Sequence, residues 1–206
     1  MVRGTAAYAQ TMSDVLRLPT GAMCDAALEL ARTTTSKPIF EHSLRSFYYA
    51  RLIAELERTV HDADYDEGLL FAATVMHDLG LGTLAESKAR FEVEGADLAS
   101  NLLAEHGLSG GDIDRVWEAI ALHSSIGLAN RMGLLTYLTH QGVFVDAGRF
   151  GGLPEHVTEP IRVAYPRQVG DRSIADAILQ HARRSPAEAA PPFSLAAGLL
   201  MQAGAT

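Results

Sequence analysis

The sequence contains one cysteine, and its longest run of adjacent basic residues is the Arg183-Arg184 pair. The lone Cys24 cannot close an intrachain disulfide, and no Cys/His cluster has zinc-finger spacing. A disulfide-framed secreted scaffold is therefore excluded, and a reducing, cytoplasmic setting is expected. Positive charge is scarce as well: 17 Lys and Arg stand against 25 Asp and Glu, which leaves no electrostatic footprint for a nucleic-acid polymer. Long apolar runs are missing too. The longest uncharged stretches, Met132 to Val145 and Ala189 to Thr206, are too short or too polar to cross a bilayer, which takes ~20 apolar residues. The N-terminal stretch sets Arg3 and Asp14 among polar residues where a secretion signal needs an apolar core, so no membrane partner is expected. Apolar residues as such are plentiful, at 48% of 206 residues, which is enough for one ordinary globular domain with a full core.

The periodicity of those apolar residues is helical nearly throughout. Met23, Ala26, Ala27, Leu30 and Ala31 recur at steps of three and four after Thr20, a plausible cap. Ser36 caps a second helix with Pro38 in its first turn, and Leu44, Phe47, Tyr48, Leu52 and Leu56 follow on one side. Gly68 to Asp78 is apolar around almost its whole circumference, the pattern of a helix inside a core, and it stops at Gly80. Further helices are expected from Phe91 to Glu105, from Ile113 to His123 with Asp112 as cap, and from Arg131 to Ala147. A loose stretch rich in Gly and Pro follows from 148 to 172. A helix that Ser173 caps then runs to about Arg184, and a final apolar segment spans Phe193 to Met201. The expectation is an all-α domain over 1–206, with a core of about 36–150, a helix at 20–32 and helices at 173–201 packed on it.

Ionisable residues fall in apolar surroundings at a few places. The pair His77-Asp78 ends the most apolar helix, where two such groups cost several kcal/mol unless hydrogen bonds, pairing or a metal compensate them. A neutral imidazole nitrogen beside a carboxylate is a donor set that Zn²⁺, Fe²⁺ or Mn²⁺ accepts. Asp146 sits in the apolar run Gly142 to Ala147, and His42 opens the second helix beside Leu44 and Phe47. Taken singly, His42 reads as a core histidine bonded to a carbonyl and Asp146 as half of an ion pair.

Their order changes this reading. An all-helical chain with His42, then His77-Asp78, then Asp146 resembles the HD superfamily of metal-dependent hydrolases. The phrases His42 to Tyr49, Met76 to Gly80, Arg90 to Ala96, Val116 to Ser124 and Gly142 to Gly148 resemble its cyanamide-hydratase-like branch, over about 36–150. The resemblance implies a helical bundle around one buried divalent ion, zinc first and iron or manganese next, held by His42, His77, Asp78 and Asp146. It also implies water activated by that ion and a small-molecule substrate, with hydration of a nitrile-like carbon such as cyanamide first and hydrolysis of a nucleotide phosphomonoester as the alternative. A third reading is a ligand-binding HD protein without turnover.

Around that ion, His123 faces inward and is expected to bind substrate or move protons, with Glu94 as a second acid/base candidate and Glu92 as a helix-start cap. Arg45 is expected to hold an anionic group or to pair with a carboxylate, and Phe47 and Tyr48 to wall the pocket. The motif segments offer only Arg45, Lys88 and Arg90 as cations, and this scarcity favours a neutral substrate. His106 is the candidate for a second metal, though the dipole at a helix C-terminus explains it equally well. His61, His140, His156 and His181 read as solvated. The oligomeric state is left open.

Overall fold

The computed structural model describes residues 14–167 and 170–204. Most of the N-terminal stretch read against a secretion signal, 1–13, lies outside them. Ten α-helices lie wholly within the described residues: α1 (Ala22–Thr34), α2 (Lys37–Leu56), α3 (Glu67–Met76), α4 (Phe91–Glu105), α5 (Gly110–Leu122), α6 (Leu134–Asp146), α7 (Glu155–Ala164), α8 (Ser173–Arg184), α9 (Pro186–Ala189) and α10 (Leu195–Gly204). No strand occurs among these residues, and no helix is long and apolar enough to cross a membrane.

The centre of the bundle is α2, which is buried on every side from His42 to Ala54. Such a helix must satisfy most of its polar groups internally, and of Arg51 only Nε is left without a hydrogen bond. The Ser46 hydroxyl donates to the His42 carbonyl at 2.8 Å, and the Arg51 guanidinium donates to the backbone carbonyls of Asp14, Val15 and Arg17. α6 packs closely along α2 because Gly142 has no side chain: a Cβ there would lie 2.2 Å from the Ser46 carbonyl oxygen. On another side lies α3, buried from Leu69 to Met76 and started by Asp66, whose carboxylate accepts the Leu69 N–H at 2.9 Å. Each of its large apolar side chains contributes about 1.5–3 kcal/mol by leaving water. Gly80 lets the turn after α3 meet the start of α4, since a Cβ there would stand 1.9 Å from the Phe91 carbonyl oxygen.

Some local expectations need correction. α1 begins after Gly21 rather than Thr20. Ser109, not Asp112, caps α5, and its hydroxyl accepts the Asp112 N–H at 3.2 Å. The stretch read as loose contains α7, a helix with Pro160 inside it. Ser173 is the first residue of α8, with Arg172 at the cap position. Beyond α7 the chain returns to the bundle: Ile178 and Ala182 of α8 and Ala196 of α10 form a small second apolar cluster around Phe91.

Candidate metal centre

Two helix ends present imidazoles in the same way. His77 follows the last residue of α3 and His123 the last residue of α5, where the carbonyls of the final turn have no intrahelical partner. Each ring turns its Nδ1–H back onto such a carbonyl: His77 onto Thr74 at 2.8 Å and His123 onto Ile120 at 2.7 Å. That bond sets the tautomer and leaves Nε2 bare on both rings. The rings are close, with 4.7 Å between centroids, and the ring of His42 on α2 lies 5.0 Å from that of His77.

Asp78 faces these rings. Its Oδ2 lies 3.2 Å from His77 Nε2 and 3.9 Å from His42 Nε2, while its Oδ1 lies 3.9 Å from His123 Nε2. His77 Nε2 and Asp78 Oδ2 are fully buried and have no hydrogen-bond partner. Two lone-pair atoms 3.2 Å apart in a dry site repel each other unless a cation or a proton lies between them. The titration behaviour shows the same pull. Burial opposes charging His77, but Asp78 outweighs it and raises the imidazole above its ordinary value. Burial likewise opposes the Asp78 carboxylate, and His77, with His42 and His123 behind it, holds it far below the carboxylate range. His123 is pushed down to about 4, by burial first and by its neighbour His77 next.

Donor atoms of His42, His77 and Asp78 lie within 4.8 Å of one another, a group that fits a divalent ion. The donor chemistry, two imidazole nitrogens and one carboxylate oxygen, suits zinc, iron or manganese. Asp146, expected as the fourth donor, is placed differently. Its Oδ2 accepts from His42 Nδ1 at 2.6 Å, and Arg45 grips both oxygens, Nε to Oδ1 at 2.6 Å and Nη2 to Oδ2 at 2.9 Å. Burial opposes this carboxylate as well, yet His42 and Arg45 hold it at about 2. A metal-binding imidazole commonly gives its other N–H to a carboxylate, which fixes the ring, and Asp146 is positioned to do this for His42.

Other expected residues lie elsewhere. Phe47 and Tyr48 do not wall the cavity: both are fully buried on α2, with Phe47 edge-on to Phe71 at 5.0 Å and Tyr48 stacked on Tyr165 at 5.8 Å. Glu94 is not available for acid/base work, because its carboxylate accepts the backbone N–H groups of Glu86, Ser87, Lys88 and Ala89 and ties down the loop before α4. Glu92, expected as the cap of that helix start, is instead buried, forked by Arg90 and bonded by the Ser124 hydroxyl, and no side chain caps α4. His106 is exposed at the end of α4 and does not line the cavity. His140 and His181 are buried rather than solvated. His140 bonds the His123 carbonyl at 2.7 Å, and His181 bonds Ser87 and Ala89. His61 and His156 are exposed.

The cluster opens into a cavity of about 440 Å³. Its polar lining includes Ser124, Arg149, Arg167 and Asp171, and its apolar wall includes Phe91, Phe144, Leu195 and Leu199. Arg149, Arg167 and Asp171 went unrecognised in the sequence because they lie in the stretch without apolar periodicity. The available signal was Arg149, immediately after the Asp146 motif. Of the motif cations, Lys88 pairs with Glu86 at the surface and Arg90 with Glu92, so only Arg45 reaches the cavity, and Arg149 and Arg167 from outside the motifs make good the scarcity.

Residues 39–138 match the model of the family described as HD domain. The matched stretch contains His42, His77, Asp78 and His123 and ends before Asp146. It supports the all-α superfamily of metal-dependent hydrolases that the order of the motifs resembles. No curated protein gives a significant match to the chain.

Proposed function

We propose that the chain is a metal-dependent hydrolase of a small organic molecule whose anionic head, of the phosphomonoester kind, meets the ion while its apolar body lies along α8 and α10. The observation that carries this reading is the charge and size of the cavity. Asp78, Asp146 and Asp171 are offset by Arg45, Arg149 and Arg167, so a divalent ion makes the lining positive by two charges, which a phosphomonoester dianion matches. The volume of about 440 Å³ and the apolar wall suit a substrate with an organic body.

His42, His77 and Asp78 would hold the ion, with Asp146 and Arg45 fixing the His42 ring. When bound, such an ion polarises a substrate oxygen and brings the pKa of water towards neutrality. His123 presents a bare Nε2 to the same space and accepts a proton there. Arg149, whose guanidinium has no ion pair or hydrogen bond within the described residues, binds oxygens of the substrate head, and the apolar wall excludes water from its body. Hydration of a nitrile-like carbon such as cyanamide is the second reading. It draws support from Arg45, whose Nε and Nη2 are taken by Asp146, and is opposed by a cavity far larger than so small a substrate fills.

A panel of phenyl phosphate, nucleoside monophosphates, cyanamide and larger nitriles, offered to the metal-loaded protein, tests the proposal. Phosphomonoester turnover is expected, with Arg149→Ala raising KM about tenfold and His123→Gln lowering kcat by ~10² to 10⁴. Turnover of nitriles alone would establish the second reading, and no turnover at all would leave a binding protein.

A further inference from the structure

A second cavity, of about 410 Å³, lies on the other side of Asp146. Its walls come from α2, the end of α6, α7 and the segments around Gly151 and Pro166. Arg45, Asp146 and Arg167 line both cavities, whereas Tyr49 and Arg162 line only this one. We propose that it is a separate anion site, which takes a small organic molecule bearing a phosphate-type dianion.

Charge is the first argument. Three guanidiniums, Arg45, Arg162 and Arg167, face one carboxylate, Asp146, and no other acidic side chain lines the space. Arg45 and Asp146 cancel, and Arg162 together with Arg167, the latter shared with the metal cavity, remains to attract an anion in a protein whose formal charge is −8. Unused donors are the second argument. Arg45 spends Nε and Nη2 on Asp146, and Arg167 spends Nη1 on the Asp146 carbonyl at 2.6 Å, so each keeps N–H groups to give. Arg162 gives Nη2 to Glu155 at 3.0 Å in an exposed pair, and such pairs are weak enough to yield to a ligand.

Tyr49 is the third, independent argument. Its side chain lines the cavity and the residue is only 6% exposed, yet its hydroxyl has no hydrogen-bond partner within the described residues. The hydroxyl opens onto the cavity and is free to donate to a ligand there. A phosphate oxygen resting against Arg162 and Arg167 would supply that acceptor. The remaining wall, Val145, Phe150, Leu153 and Tyr165, is apolar and gives an organic body a place to lie. This inference does not depend on the hydrolase reading, because Arg149 and Ser124, which line the metal cavity, are absent from this one.

Calorimetric titration of the metal-loaded Arg149→Ala protein with inorganic phosphate and with phenyl phosphate tests the site, since that background weakens anion binding in the metal cavity. Both probes are expected to bind, phenyl phosphate the more tightly. Adding Arg162→Ala should weaken both about tenfold or more, and adding Tyr49→Phe should weaken both by a smaller factor, with melting temperatures unchanged. Loss of all binding on Arg149→Ala alone would place the anion in the metal cavity and overturn the proposal. Binding indifferent to Arg162→Ala would overturn it too, and phenyl phosphate binding no tighter than inorganic phosphate would overturn the organic body.

Discussion

On one side of the metal cavity the functional atoms sit on helices buried along their lengths, and every ring has its second nitrogen engaged: His42 by Asp146, His77 by Thr74, His123 by Ile120. On the other side Arg149, Arg167 and Asp171 come from the chain between α6 and α8, and Leu195 and Leu199 from α10. The first side presents donors whose orientation is decided before anything binds. The second carries exposed arginines with donors to spare. Substitutions on the first side should therefore abolish the chemistry or the fold, and those on the second should change which molecule is accepted.

The largest effect is expected at Asp78→Asn. Removing a mere hydrogen-bond partner of a metal ligand costs about 10- to 100-fold in metal affinity, so converting a ligand carboxylate to an amide should cost more than about 100-fold, read by competitive metal titration. An unchanged affinity would erase the contrast between the two sides. Next in size is Gly142→Ala, which leaves every donor in place but drives a Cβ towards the Ser46 carbonyl. About 1–3 kcal/mol of stability should be lost, and the melting temperature should fall by roughly 2–4 °C for each kcal/mol. An unshifted melting curve would show that α2 and α6 do not need their close approach.

The legibility of the sequence divides along the same line. His42, His77 and Asp78 were visible because an ionisable residue in an apolar run has few explanations. His123 was visible because helical spacing places it with Ile120 on the inner face. Where α2 turned out to be buried all round, the same reasoning failed: with no solvent face, periodicity cannot separate core from pocket, and Phe47 and Tyr48 went to the core. Glu92 and Glu94 share the first turn of α4, and which of them caps a loop depends on where residues 86–89 run, a tertiary fact. α7 was hidden by Pro160 and the flanking glycines, and the arginines of the outer side lay outside any periodic segment.

A pH experiment sharpens the picture of the buried side away from the ligands. Burial depresses His140 below its ordinary 6.5, against the hydrogen bond to the His123 carbonyl, which favours its charged form. The unfolded chain therefore takes up this proton first as pH falls. The stability from keeping His140 neutral is complete above about 6.5 and is lost progressively below it, by at most about 1.4 kcal/mol per pH unit. His140→Gln keeps a donor for the carbonyl without titrating, so denaturant melts between pH 7 and 5 should show a shallower pH slope than wild type. An equal slope would mean that His140 takes up its proton at the same pH folded and unfolded, and would contradict the burial effect. The smallest effect is expected away from the cavity. Phe193 is fully exposed at φ 69°, a conformation asparagine adopts more readily, so Phe193→Asn should leave stability within about 0.5 kcal/mol of wild type.

The central claim is that His42, His77 and Asp78 form a metal centre, and elemental analysis of reconstituted, desalted protein tests it most directly. Wild type should retain about one divalent ion per chain, the ion at 100 times its dissociation constant should add about 2.7 kcal/mol to stability, and His77→Ala should retain almost none. Full occupancy in His77→Ala, or no retained ion in folded wild type, would contradict the account.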